Sequence, residues 1–198
     1  MVDKITLTID GQPVSADKGA TILDAACSIG VRIPTLCHHE QLQPYGGCRL
    51  CLVELRQASR SQLVASCGYP VRPGLAVHTD SPRVLRARRL VLEVLLALMP
   101  YSDEIRRLAG QHDVTVSRYQ RTMHYCVLCG LCVRYCDEVK HANCIGFVGR
   151  GVEREVAWTP LSRYRQTCQG CLECMPLCPT GVFPSNWGIT DVAGDIAT

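Results

Sequence analysis

Apolar positions recur along the first 80 residues with two different periods, and each change of period marks a new element. Through residues 2–9, Ile5, Leu7 and Ile9 alternate with Lys4, Thr6 and Thr8, which predicts a strand with one buried face. Asp10-Gly11 is a hairpin turn signal, and residues 12–16 supply the returning strand. Over 20–29 the period lengthens: Ile22, Ala25, Ala26 and Ile29 share one helical face, and Gly30 provides the stop. Cys27 falls on or beside that face and is expected to be a small core residue rather than a ligand. A loop rich in proline, glycine and cysteine follows over 34–51, and short apolar runs at 52–55, 63–66 and 75–78 read as further strands.

Ser81-Pro82 has the form of an N-cap followed by a first-turn proline, opening a helix that Pro100 ends. Its stripe of Val84, Leu85, Val91, Val94, Leu95 and Leu98 reads as a packed connector. Ser102 is placed to cap a second, short helix ending near Gly110. Residues 111–122 are polar and weakly patterned, so a boundary is expected there. Beyond it one cysteine pattern occurs twice, 42 residues apart.

Composition changes the picture at one point only. The chain has 198 residues and a net charge of +3, too small and too dispersed to predict binding to nucleic acid or an anionic membrane. Its 14 cysteines are the anomaly. The opening Met1-Val2-Asp3-Lys4 has no apolar leader behind it, and the most apolar run, 90–99, is interrupted by Glu93 and too short to span a bilayer. A cytoplasmic protein without direct membrane insertion is therefore expected. In a reducing compartment that many cysteines point to metal or redox chemistry rather than disulfides.

Cys126, Cys129, Cys132 and Cys136 have the spacing C-x2-C-x2-C-x3-C, and Cys168, Cys171, Cys174 and Cys178 repeat it, with Pro179 after the last. This is the bacterial ferredoxin signature, in which three close thiolates wrap one cluster and the fourth reaches the other. It assigns Cys126, Cys129, Cys132 and Cys178 to one [4Fe-4S] cluster and Cys136, Cys168, Cys171 and Cys174 to a second. Gly130 and Gly170 lie inside the wraps, where the lack of a Cβ admits close backbone approach. Asp137 stands where proline usually follows the fourth cysteine. Zinc is the rival occupant, although the triplets do not divide into separate knuckle pairs.

A further set, Cys37-x10-Cys48-x2-Cys51-x15-Cys67, sits after the ββα opening and is a longer-gapped relative of the plant-type pattern. It predicts a [2Fe-2S] cluster on a β-grasp domain, with Gly46 and Gly47 allowing a tight turn and Arg49 placed to balance charge; structural zinc is again the alternative. The fold expected is α+β: a β-grasp [2Fe-2S] ferredoxin domain over 1–80, a helical connector over 81–120, and a bacterial-type 2[4Fe-4S] ferredoxin domain over 121–198. Cys27 and Cys144 are left over, Cys144 as buried filler. Arg121, His124, Arg134, Lys140 and His141 surround the first ferredoxin run, whereas Glu173 lies in the second, so the Cys126 cluster is expected to have the higher potential.

The chain resembles the N-terminal iron–sulfur region of the large peripheral-arm subunit of respiratory complex I. It is similar also to the iron–sulfur diaphorase subunit of NAD-reducing hydrogenases and to the front ends of NAD-dependent formate dehydrogenases and [FeFe] hydrogenases. The resemblance rests on Ile33-Pro34-Thr35-Leu36-Cys37, Gly46-Gly47-Cys48-Arg49-Leu50-Cys51, the run 126–139, Ile145-Gly146-Phe147-Val148-Gly149-Arg150-Gly151 and Cys178-Pro179-Thr180-Gly181. Relatives carry a His-x3-Cys-x2-Cys-x5-Cys site in the connector; here 82–125 contain no cysteine, and His112 is expected to be an exposed polar residue. With Thr198 following 20 residues after Cys178, catalytic chemistry is expected on other subunits. The resemblance implies an electron-relay subunit, itself non-catalytic, between a flavin- and NAD(H)-handling iron–sulfur subunit and a catalytic subunit of the NiFe or Mo/W type. The alternatives are a free-standing polyferredoxin-like carrier and a cluster-based sensor, the latter without a DNA-binding helix pair or basic stripe. No glycine-rich dinucleotide fingerprint is present, so NADH and flavin are not expected to bind this chain.

Overall fold

The computed structural model describes residues 3–57, 60–119, 126–158, 167 and 171–181. Arg121, His124, Cys168 and Gly170 lie outside the described residues. The chain forms two compact units, one from 1–38, 44–93 and 108–115, the other from 39–43, 94–107 and 116–198. The stretch read as a connector is shared between them, and five residues of the long gap between Cys37 and Cys48 belong to the second unit.

In the first unit, β1 (Lys4–Ile9) and β2 (Gln12–Asp17) form an antiparallel hairpin with Leu7 opposite Val14. Asp10 (φ 49°) and Gly11 (φ 83°) both take left-handed backbone, the geometry of the turn that matches strand twist. The Asp10 carboxylate also accepts the Thr79 N–H at 2.8 Å and its hydroxyl at 2.6 Å. A second antiparallel hairpin joins β3 (Leu52–Gln57) to β4 (Arg60–Ala65), and β5 (Ala76–His78) lies between β1 and β3, parallel to the former. The sheet order is β2-β1-β5-β3-β4, so the mixed α+β arrangement expected from the sequence is present here.

Helix α1 (Ile22–Ser28) starts at a capping box: Thr21 Oγ1 accepts the Asp24 N–H at 3.2 Å and Asp24 Oδ2 accepts the Thr21 N–H at 2.9 Å. Ile22, Leu23, Ala25 and Ala26 are buried and join Leu7, Ile9, Val53 and Val77 in one core. Cys27 is exposed, contrary to expectation. At about 100° per residue it stands well away from the face shared by Ile22, Ala25 and Ala26.

Helices α2 (Pro82–Leu98) and α3 (Asp103–Gly110) begin at the expected caps, with Ser81 Oγ accepting the Val84 N–H and Ser102 Oγ the Ile105 N–H, both at 3.3 Å. His112 is half-buried rather than exposed: Arg89 Nε holds its carbonyl at 3.1 Å, and its Nε2 is buried without a hydrogen bond. In the second unit, α4 (Leu131–Arg134) runs into a π-helical turn at Tyr135–Val139. An antiparallel hairpin, β6 (Ile145–Val148) and β7 (Glu155–Trp158), follows. Gly149 closes that hairpin at φ 68°, where an added Cβ would stand 2.3 Å from the Glu153 carbonyl oxygen. Glu138 and Arg134 grip the backbone of Gln43, the carboxylate accepting its N–H at 2.6 Å and Arg134 donating to its carbonyl at 2.7 Å. Among the described residues no helix is long and apolar enough to cross a membrane.

Candidate metal centres

The loop after α1 and the end of β4 bring the first cysteine set together. Cys37, Cys51 and Cys67 are 1–2% exposed, and Cys48 is half-buried. Cys51 Sγ and Cys67 Sγ are 3.3 Å apart, and the Cys48 N–H donates to Cys37 Sγ at 3.4 Å. Their charges are linked as one group. The hydrogen bond to Cys67 holds Cys51 down at about 6, the same bond and burial push Cys67 far up, and Cys37 with burial does the same to Cys48. Four thiolates this close repel one another unless a cationic metal core lies among them. The buried Ser66 hydroxyl has no hydrogen-bond partner among the described residues, and the Ser66 N–H donates to the Cys51 carbonyl at 3.0 Å. The donor set therefore fits an iron–sulfur cluster. Cys67 is positioned from α1, whose Leu23 N–H reaches the Ser66 carbonyl at 3.1 Å and whose Ile22 N–H reaches the Tyr69 carbonyl at 2.9 Å.

In the second unit seven of the eight ferredoxin-type cysteines are described. Burial pushes the Cys132 thiol up, as do the charges of Cys129, Cys174, Cys126 and Cys178. Burial also raises Cys126, with Cys178 again a neighbouring charge. Cys174 is pushed up to about 11 by burial, then by Cys136, Cys171 and Cys178. Cysteines of the two runs thus lie near one another, Cys126, Cys132 and Cys136 packing in one cluster with Cys174 and Cys178. A cavity of about 320 Å³ opens beside Cys136, Cys171 and Cys174, with Cys144, Lys140 and Glu173 on its wall.

The wraps use left-handed backbone. Gly130 (φ 73°) and Leu172 (φ 49°) stand at corresponding positions of the repeat, so the turn is kept where the glycine is not. At Leu128 (φ 53°) it aims the N–H at Cys126 Sγ, 3.3 Å away. Cys144, fully buried, contributes its backbone N–H to Cys136 Sγ at 3.2 Å. Among the described residues no three His, Cys, Asp or Glu side chains converge on a single metal ion.

Two charge assignments made from the sequence change. Arg49 is exposed with left-handed backbone (φ 60°), and the buried cation near the first set is Arg88, 4% exposed, which sequence order alone does not distinguish from its neighbours Arg86 and Arg89. Lys140 does not favour the first ferredoxin run. Its Nζ is 2.6 Å from Glu173 Oε1, and the Tyr135 hydroxyl donates to Glu173 Oε2 at 2.9 Å. Lys140, then Tyr135, hold the Glu173 carboxyl below its ordinary range. Arg134 is likewise paired, with Glu138 at 3.4 Å. Two of the basic residues counted for the first run, Lys140 and Arg134, are thus paired with carboxylates.

Comparison with known proteins adds the lineage. Residues 2–82 match the family described as 2Fe-2S iron-sulfur cluster binding domain. The NADH-ubiquinone oxidoreductase 78 kDa subunit of Neurospora crassa is 32% identical over 92% of this chain and 28% of its own length. The NADP-reducing hydrogenase subunit HndD of Solidesulfovibrio fructosivorans is 33% identical over 98% of this chain and 38% of its own length. The chain thus spans well under half the length of these curated relatives. A crystal structure of an NAD+-reducing [NiFe]-hydrogenase in the H2-reduced state contains a chain that is 29% identical, covering 89% of this chain and 85% of its own, with a TM-score of 0.78. Residues 2–82, with their four gathered thiols, thus match the 2Fe-2S iron-sulfur cluster binding domain family, in a chain similar over most of its length to subunits named as NADH-ubiquinone oxidoreductase and NADP-reducing hydrogenase.

Proposed function

We propose that this chain is an electron-relay subunit of a multi-subunit NAD(P)-linked oxidoreductase of the hydrogenase or formate dehydrogenase kind, working in a reducing cytoplasm. Its partners are a flavin- and NAD(H)-handling subunit and a catalytic subunit with a NiFe or Mo/W site. Cys37, Cys48, Cys51 and Cys67 in residues 1–80 hold a [2Fe-2S] cluster. In residues 121–198, Cys126, Cys129, Cys132 and Cys178 hold one [4Fe-4S] cluster and Cys136, Cys168, Cys171 and Cys174 the other, while 81–120 hold none. The observation that best supports this reading is the gathering of cysteines from both repeats in one cluster, Cys126, Cys132 and Cys136 with Cys174 and Cys178.

Clusters of this kind accept and release one electron at a time. The thiolates keep the metal core in place, and the N–H groups of Cys48, Leu128 and Cys144 donate to ligand sulfurs, which stabilises negative charge there. Burial of Cys37, Cys51, Cys132 and Cys136 excludes water from the sulfurs.

Anaerobically purified protein should contain about ten irons per chain and, when reduced, three distinguishable EPR signals. Two irons, or zinc in their place, would overturn the assignment. Co-purification in a stable complex with flavin and NiFe or Mo/W subunits is expected; a chain that purifies alone with all three clusters supports the carrier reading instead.

A further inference from the structure

Arg88 lies inside the first unit on α2, where the residue is 4% exposed. Its Nε donates to the Leu50 carbonyl at 3.1 Å and its Nη2 to the Leu52 carbonyl at 2.8 Å. Leu50 and Leu52 are the residues on either side of Cys51, itself 1% exposed. Leu50 is fully buried beneath the same contact, so the helix grips the loop by its backbone.

A guanidinium withdrawn from water is costly unless negative charge faces it. Two carbonyl dipoles supply part of that charge. Among the described residues no carboxylate forms an ion pair with Arg88. The nearby buried Glu54 instead pairs with Arg56 at 3.1 Å and lies 4.0 Å from Arg83. Asp10 is engaged by Thr79. Burial lowers the Arg88 pKa, and of the negative groups that oppose this, Cys51 comes before Asp80 and Asp10. Cys51, the residue between the two that Arg88 holds, is the negative centre that this geometry sets beside the buried cation. A [2Fe-2S] centre with four thiolates carries about two negative charges oxidised and gains one more on reduction. A fixed cation close by favours the reduced form.

We propose that Arg88 is a positioning residue for the [2Fe-2S] site: it holds the carbonyls of Leu50 and Leu52, the residues on either side of Cys51, and raises the potential of that site with its buried positive charge. The proposal rests on the assignment of Cys37, Cys48, Cys51 and Cys67 as the [2Fe-2S] ligands. The same contact restrains the loop, because moving Leu50 or Leu52 away from α2 breaks a hydrogen bond.

The test is an EPR-monitored redox titration of the full chain, with iron counted in parallel, for wild type, Arg88→Met and Arg88→Lys. In Arg88→Met the [2Fe-2S] signal should persist with a more negative midpoint. The reduced-to-oxidised ratio at the wild-type midpoint should fall about tenfold, which is about 59 mV for a one-electron couple. Arg88→Lys keeps the charge and should restore most of that shift. An unchanged midpoint in Arg88→Met, or equal shifts in both variants, would overturn the proposal. If Arg88→Met loses the site's two irons while Arg88→Lys keeps them, the need for a cation is supported; loss in both would reduce Arg88 to a scaffold residue and overturn it. A wild-type protein without a [2Fe-2S] signal would sink the ligand assignment itself, a result distinct from any of these.

Discussion

Cys178→Ser tests the exchange between the two repeats most directly. Cys178 follows Cys174 by four residues but stands among the charges that raise Cys126 and Cys132. If its thiolate serves the cluster wrapped by Cys126, Cys129 and Cys132, serine there should lower the iron content from about ten to about six per chain. The single variant cannot say which cluster was lost, but pairs of variants can, because losses within one cluster do not add and losses in different clusters do. Cys126→Ser with Cys178→Ser should still retain about six irons. Cys171→Ser with Cys178→Ser should retain about two, those of the [2Fe-2S] site. Iron and acid-labile sulfide per chain, with reduced-state EPR, read all four proteins. The reverse outcome, about two irons in the first pair and about six in the second, would refute crossed ligation. Circular dichroism of the β-rich first unit shows whether the doubly substituted chains still fold.

Gly149→Ala should destabilise the second unit by about 2–4 kcal/mol, since a left-handed residue costs about 1–2 kcal/mol and the new Cβ overlaps the Glu153 carbonyl besides. Gly146→Ala, with nothing within 4 Å, should cost about 1 kcal/mol or less in the same urea titration, and equal effects would contradict this. Ser61, then Ser81 and Arg56, hold Glu54 down at about 2 against an ordinary 4.5, so its contribution to stability is present above the unfolded value and is lost as pH falls toward 2. Glu54→Gln should unfold at lower urea than wild type at pH 7, with the gap narrowing below pH 4.5; a gap independent of pH would exclude the carboxylate as its source. His112→Ala should leave iron content and every cluster signal unchanged, because no cysteine lies between Cys67 and Cys126; loss of about four irons would reveal a cluster held in the connector.

Local patterns in the chain determined most of the elements and all of the candidate ligands. The alternation of Ile5, Leu7 and Ile9, the Asp10-Gly11 turn and the caps at Ser81 and Ser102 depend on covalent geometry within a few residues, and each appears where the pattern places it. The cysteine sets were legible for the same reason, as their spacing is a property of neighbouring backbone. Ranges were less so: β4 begins at Arg60, three residues before its apolar run, because pairing with β3 satisfies backbone groups whatever their side chains. The parallel pairing of β5 with β1, the exposure of Cys27, the pairing of Lys140 with Glu173 and the burial of Arg88 were decided only by the tertiary structure. Each depends on which distant surface covers a residue, and burial sets the sign and size of an electrostatic effect. Arg49, adjacent to a ligand in sequence, is in water, whereas Arg88, 37 residues beyond Cys51, is brought against the Leu50 and Leu52 carbonyls, where a charge is weakly screened and acts strongly.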